Sequence, residues 1–90
     1  MHISKNFIMR PIAGENVIVP IGDEASRFQG LITVNESGAF LWKLLQDENT
    51  SPERIKQAFR KEYGVDEKTA DNDVEEFLHI LRMRNILKEE

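Results

Sequence analysis

The sequence predicts a winged-helix-like α+β domain in which three short N-terminal antiparallel strands precede three helices. Two observations support this prediction. Apolar and β-branched runs bounded by turn residues occupy the first third of the chain, and apolar residues at helical spacing occupy the rest. Because 90 residues can enclose only one hydrophobic core, residues 1–90 are expected to form a single domain, with residues 1–5 frayed.

The strands are predicted from local composition. Residues 7–12 form an apolar stretch with Pro11 near its end, residues 13–16 resemble a hairpin turn, and residues 17–19 are β-branched throughout. A polar loop over residues 22–30 follows, in which Phe28 either packs back over the core or is exposed as a contact residue. The third predicted strand consists of Leu31, Ile32, Thr33 and Val34.

The helix boundaries are predicted from capping residues. Asn35 is placed to cap the first helix. Thr50 and Glu53 have the spacing of a capping box for the second helix, and Gly64 is a C-terminal stop signal. Asp66 is placed to cap the third helix, which continues to about residue 85.

The last helix has a wide apolar stripe of roughly 160° when its residues are placed about 100° apart. Its predicted core face centres on Ala70, Val74, Phe77 and Leu81, with Leu78 on one flank and Ile80 on the other. Two interpretations remain open at this point. A thin domain needs a wide stripe to cover its core, or one flank of the helix lines a groove.

The third strand is expected at an edge of the sheet, because it follows a long loop and precedes a helix. It is short, apolar and without lysine or proline, so its free N–H and C=O groups have little protection against pairing with another chain. An open edge strand beside an apolar helix flank is typical of proteins that capture a peptide by strand addition.

Catalytic and metal-binding patterns are lacking in the sequence. There is no cysteine, the two histidines are far apart, and the glycines form neither a phosphate-binding loop nor a dinucleotide fingerprint. The carboxylates cluster on helices, where a solvated face explains them better than an acid–base pair does. We therefore expect no enzymatic activity, no cofactor and no metal site, and the lack of cysteine fits a cytoplasmic location.

The charge distribution argues against nucleic-acid and membrane partners. The net charge is −4, and no run approaches the roughly 20 apolar residues that span a bilayer. The alternative is a winged-helix DNA-binding protein. Its only credible basic face is the middle helix, with Arg54, Lys56, Arg60 and Lys61, whereas the acidic start of the last helix would repel phosphates.

Several segments of the chain resemble the PqqD family. They are residues 9–16 (MRPIAGEN), 30–42 (GLITVNESGAFLW), 62–66 (EYGVD) and 73–78 (DVEEFL). The similarity covers nearly the whole chain after about Lys5, and residues 35–42 are its most specific part.

The resemblance implies a winged-helix-like domain that recognises precursor peptides of ribosomally made, modified natural products. Such domains bind the leader segment as an added strand and present it to a modifying enzyme, often a radical S-adenosylmethionine protein. Mapped onto this chain, the implied peptide-binding residues are Leu31, Ile32, Thr33 and Val34 on the strand and Asp73, Phe77, Ile80, Leu81 and Arg84 on the last helix. The resemblance does not by itself imply a role in pyrroloquinoline quinone synthesis, because many members serve other pathways.

Overall fold

The predicted α+β arrangement is confirmed by the structure, a computed structural model that describes residues 1–22, 25, 31–47 and 49–89. Its elements in chain order are β1 (His2–Ile3), β2 (Phe7–Ile12), β3 (Glu15–Pro20), β4 (Ile32–Val34), α1 (Glu36–Leu45), α2 (Pro52–Tyr63), α3 (Glu67–Met83) and β5 (Leu87–Lys88). Most of the predicted polar loop, including Phe28, lies outside the described residues.

Among the described residues, the main sheet has three antiparallel strands in the order β2–β3–β4. A two-residue loop joins β2 to β3, and both of its residues have positive φ, 52° at Ala13 and 83° at Gly14. This is the loop geometry that matches the right-handed twist of a hairpin. On the side away from β2, β3 pairs with β4, so β4 is an edge strand of this sheet, as predicted.

The N-terminus differs from the expectation of a frayed segment. His2–Ile3 pairs antiparallel with Leu87–Lys88 in a second, two-stranded sheet, and the N–H of Ser4 donates to the carbonyl of Ile86 at 2.8 Å. Two-residue strands that pair across nearly the full length of the chain have no local sequence pattern. This explains why the prediction missed both of them.

Side chains cap the N-termini of the three helices. The N–H of Gly38 donates to Asn35 Oδ1 at 2.8 Å, and the N–H of Thr69 donates to Asp66 Oδ1 at 2.7 Å, as the sequence predicted. The second helix differs by one residue, because the cap is Ser51, whose Oγ accepts from the N–H of Arg54 at 3.3 Å. The predicted capping box at Thr50 is therefore wrong.

The core lies between the sheet and the helices, and α3 contributes most to it. Ala70, Val74, Leu78 and Leu81 are completely buried on one face of α3. This face is rotated from the predicted one. Leu78 is fully buried within it, while Phe77 is only partly buried and Ile80 is 42% exposed. In the described part of the chain, no helix is both long enough and apolar enough to cross a bilayer.

The rotated face of α3 gives a direct stability test. Truncating Leu78 to alanine should lower the free energy of unfolding by about 2–5 kcal/mol, because it leaves a cavity in a fully packed core. Ile80→Ala on the same helix should change it by less than about 1 kcal/mol, since Ile80 is partly exposed. Urea denaturation of both variants measures this. Similar losses for the two variants would contradict the assigned core face.

Candidate functional site

A groove of about 280 Å³ runs between the edge strand β4 and helix α3. The buried side chains of Leu41 and Phe59 contribute to its lining, which gives it an apolar floor. The described residues that line it are Ile32, Thr33, Val34, Asn35, Ser37, Gly38, Leu41, Phe59, Asp73, Glu76, Phe77 and Ile80.

Six of the nine residues that the sequence analysis singled out line this groove: Ile32, Thr33, Val34, Asp73, Phe77 and Ile80. The other three do not. Leu81 lies on the fully buried stripe of α3 and is a core residue. Leu31 precedes β4 and is 59% exposed, and Arg84 forms the C-cap of α3, outside the groove lining.

Residues at the start of α1 also line the groove, and the sequence analysis did not place them there. Among them, Gly38 sets how closely α1 approaches its neighbours. A Cβ atom at this position would lie 3.1 Å from Val34 Cβ and 3.3 Å from Phe77 Cε1. These distances are tighter than ordinary van der Waals contact. A glycine inside a helix is the signal that could have identified this site, because glycine there often marks a close packing contact.

The free edge of β4 has a defined hydrogen-bonding direction. In an antiparallel ladder, successive residues direct their N–H and C=O groups to alternate sides of the strand. The two-residue hairpin loop makes Ile12 and Glu15 a hydrogen-bonded pair, so Asn16 and Ile18 of β3 direct theirs toward β4. Their partners in β4 are Val34 and Ile32. Thr33 therefore directs its N–H and C=O away from β3, toward the free edge.

The side chains of β4 alternate in the same way. Ile32 and Val34 pack against the core, whereas Thr33 is exposed on the other face of the sheet. A strand added at the free edge of β4 would continue this alternation. Every second side chain of the added strand would then point to the side of the sheet on which α3 lies.

The carboxylates of α3 fall into two groups. One group faces α2, where Lys56 Nζ lies 2.8 Å from Glu75 and 3.8 Å from Asp71, and Arg60 lies 3.9 Å from Glu67. The other group, Asp73 and Glu76, lines the groove. Neither member of this second group forms an ion pair or a hydrogen bond with another residue of the described chain.

The pairing between α2 and α3 also weakens the DNA-binding alternative. Of the four basic residues on the candidate DNA-binding face, Lys56 and Arg60 are paired with carboxylates of α3. A phosphate backbone would have to approach these carboxylates, which repel it. Within the described residues, no group of three histidine, aspartate or glutamate side chains is placed to hold a metal ion.

The fold and the groove define a class: a small α+β domain with an open strand edge beside a helix-lined groove. The chain belongs to the PqqD family. The family model for coenzyme PQQ synthesis protein D matches residues 15–87, which include the strand edge and all of α3. Comparison with curated protein sequences finds no match.

Two solved structures share this fold. One is TbiB1 in complex with the TbiA(beta) leader peptide, with 28% sequence identity and a TM-score of 0.77 over 100% of this chain and 98% of that chain. The other is a lasso peptide synthetase B1 complexed with the leader peptide, with 18% identity and a TM-score of 0.73 over 94% of this chain and 93% of that chain. At 18% identity the second structure supports the fold alone.

The contact between α2 and α3 has a testable pH dependence. The hydrogen bond from Lys56 lowers the pKa of Glu75, and the same contact raises the pKa of Lys56. A lowered carboxyl pKa stabilises the fold above the ordinary glutamate pKa of about 4.3, and this contribution is lost as pH falls through the lowered value. Because both side chains are partly exposed, the contribution should be about 0.2–1 kcal/mol.

Glu75→Gln should therefore lower stability slightly at neutral pH, and the difference from the wild type should vanish in acid. Thermal melts across this pH range measure it. Asp73→Asn is the matched control, because Asp73 has no ion-pair partner among the described residues, and it should change stability by less than about 0.5 kcal/mol. A difference at Glu75 that persists in acid would contradict an electrostatic origin.

Proposed function

We propose that this protein is a non-catalytic peptide-binding domain that holds the leader segment of a ribosomally made precursor peptide as a strand added to β4. The observation that carries the proposal is the edge of β4, where Thr33 directs its N–H and C=O toward the groove beside α3. The 28% identical relative whose structure is a leader-peptide complex supports this function. In this role the domain presents the leader to a modifying enzyme.

The two walls of the groove contribute different parts of recognition. Main-chain hydrogen bonds to the edge of β4 give affinity for any extended chain, each worth about 1 kcal/mol net. The side chains of α3 distinguish one peptide from another. Phe77 and Ile80 offer apolar surface, and the exposed part of Ile80 is available for burial by a ligand.

The modifying enzyme is a partner proposed from family membership. A leader bound along β4 contacts one edge of the sheet and one side of α3. The precursor segment to be modified then continues out of the groove and stays accessible to the enzyme. This division of tasks needs no catalytic group in the domain itself, and the enzyme supplies the chemistry.

The direction of the Thr33 main chain gives a sharp test of strand addition. Thr33→Pro should weaken binding of the cognate leader peptide by at least about fivefold, because proline removes one outward N–H group. It should leave the fold intact, since the lost N–H does not pair with β3. Calorimetric titration with the leader, beside a thermal melt, measures both effects.

Thr33→Val is the matched control for this experiment. It keeps the N–H group and the β-branched shape, so it should bind the leader like the wild type. A well-folded proline variant with unchanged affinity would exclude strand addition at β4. A proline variant that unfolds while the valine variant is stable would instead show that the Thr33 N–H points to β3.

Introducing a charged side chain on α3 tests whether this helix contacts the bound peptide. Ile80→Asp should weaken leader binding by about 1–3 kcal/mol, because it places an unpaired carboxylate against an apolar part of the ligand. Stability should change little, since Ile80 is partly exposed. Met83→Asp is the matched control, because Met83 is 71% exposed on the same helix and does not line the groove. Equal affinities for the wild type and Ile80→Asp would remove α3 from the binding site.

A further inference from the structure

The groove is acidic at its rim as well as apolar at its floor, and this combination restricts the peptides that fit it. Asp73 and Glu76 line it from α3, while its β4 and α1 residues are uncharged: Ile32, Thr33, Val34, Asn35, Ser37, Gly38 and Leu41. None of the described residues that line it is a lysine or an arginine. The two carboxylates have no ion-pair partner among the described residues, in contrast to Asp71, Glu75 and Glu67 on the α2 side of the same helix.

We infer that the groove selects an extended peptide that places a lysine or arginine two residues from an apolar anchor, so that the basic side chain meets Asp73 and Glu76 while the anchor meets Phe77. The inference rests on the proposed function, because it assumes that the peptide pairs with β4. It adds the chemical class of the peptide, which neither the family nor the fold specifies.

The spacing follows from the geometry of the two walls. On α3, Asp73 and Phe77 are separated by four residues, or about 6 Å along the helix axis. In a strand, two residues span about 6.7 Å, and residues two apart point to the same face. The spacing between alternate residues of a strand in the groove is therefore close to the spacing between Asp73 and Phe77 along α3. A basic residue next to the anchor would point to the opposite face of the sheet, away from both carboxylates.

Three residues define where along the groove the apolar anchor of the peptide would bind. The backbone of Gly38 lies close to both Val34 and the ring of Phe77, so these residues meet at one point of the groove. An inward side chain of the added strand beside Val34 would contact the Phe77 ring. Ile80 lies about one turn from Phe77 on the side away from Asp73, and it offers a second apolar position there.

The gain in affinity comes from two charges that no described residue of the free domain pairs with. Neither Asp73 nor Glu76 has an ion-pair partner among those residues, and a carboxylate of the peptide would be repelled by both. Exposed ion pairs are each worth up to about 1 kcal/mol, which corresponds to about fivefold in affinity. The preference should weaken with added salt, since both carboxylates are exposed.

The experiment selects binders from a random-peptide library displayed against the full chain and against a variant carrying Asp73→Asn with Glu76→Gln. Binders of the wild type should combine apolar residues at every second position with lysine or arginine two residues from one of them. Binders of the variant should keep the apolar pattern and lose the basic residue. A variant with Asp71→Asn and Glu75→Gln is the matched control, and its binders should keep the basic residue.

One selected peptide is then synthesised with lysine, glutamine or glutamate at the basic position, and with the lysine moved by one residue. The wild type should bind the lysine peptide about fivefold more tightly than the glutamine peptide at low salt, and the moved lysine should give no gain. The Asp73→Asn, Glu76→Gln variant should bind the lysine and glutamine peptides equally.

The two proposals fail in different ways. Selected peptides that bind with the apolar pattern but without any charge preference would overturn the inference and leave strand addition standing. A library that yields no binder, or binders insensitive to Thr33→Pro and Ile80→Asp, would overturn the proposed function and the inference with it.

Discussion

The structure depends on the strand register that one hairpin loop sets. The two-residue loop at Ala13 and Gly14 fixes which residues of β3 face β2 and which face β4. This alternation passes through the sheet to β4 and directs the main chain of Thr33 outward while Ile32 and Val34 point to the core. A register shift of one residue in either strand pair would point the apolar side chains of β4 toward solvent. It would also direct the N–H of Thr33 toward β3. The packing of the core and the geometry of the open edge are therefore set by the same register.

Helix α3 serves three neighbours with three different sides. Ala70, Val74, Leu78 and Leu81 pack in the core at helical spacing, and a row of carboxylates beside them meets the basic residues of α2. The remaining side, with Asp73, Phe77 and Ile80, faces β4 across the groove. The core stripe and the ion pairs with α2 hold the helix in place, so the exposed groove-side residues Asp73 and Ile80 can vary with little loss of stability.

The sequence predicted the parts of this arrangement that depend on local patterns. Asn35, Gly64 and Asp66 ended or started helices where expected, and β4 was placed at an edge because of the long loop before it. The face of α3 was predicted less well. Residues 77 and 78 are both apolar and about 100° apart, and only the packing of the other elements decides that Leu78 enters the core and Phe77 borders the groove. The pairing of β1 with β5 joins residues that are distant in sequence, so no local pattern shows it. The helical glycine at position 38 signals a close packing contact, but its partner Phe77 is distant in sequence and cannot be read from the local pattern.

An open strand edge is a hazard for any protein, because it can pair with the edge of another sheet. Here α3 lies beside β4, and the two elements line the same groove. A second sheet approaching β4 would meet α3 and the exposed carboxylates of Asp73 and Glu76 before its edge strand could pair. A single extended chain is thinner and avoids this collision. Helix α3 thus hinders sheet-to-sheet association at this edge, which explains how a short apolar strand without lysine or proline can remain open.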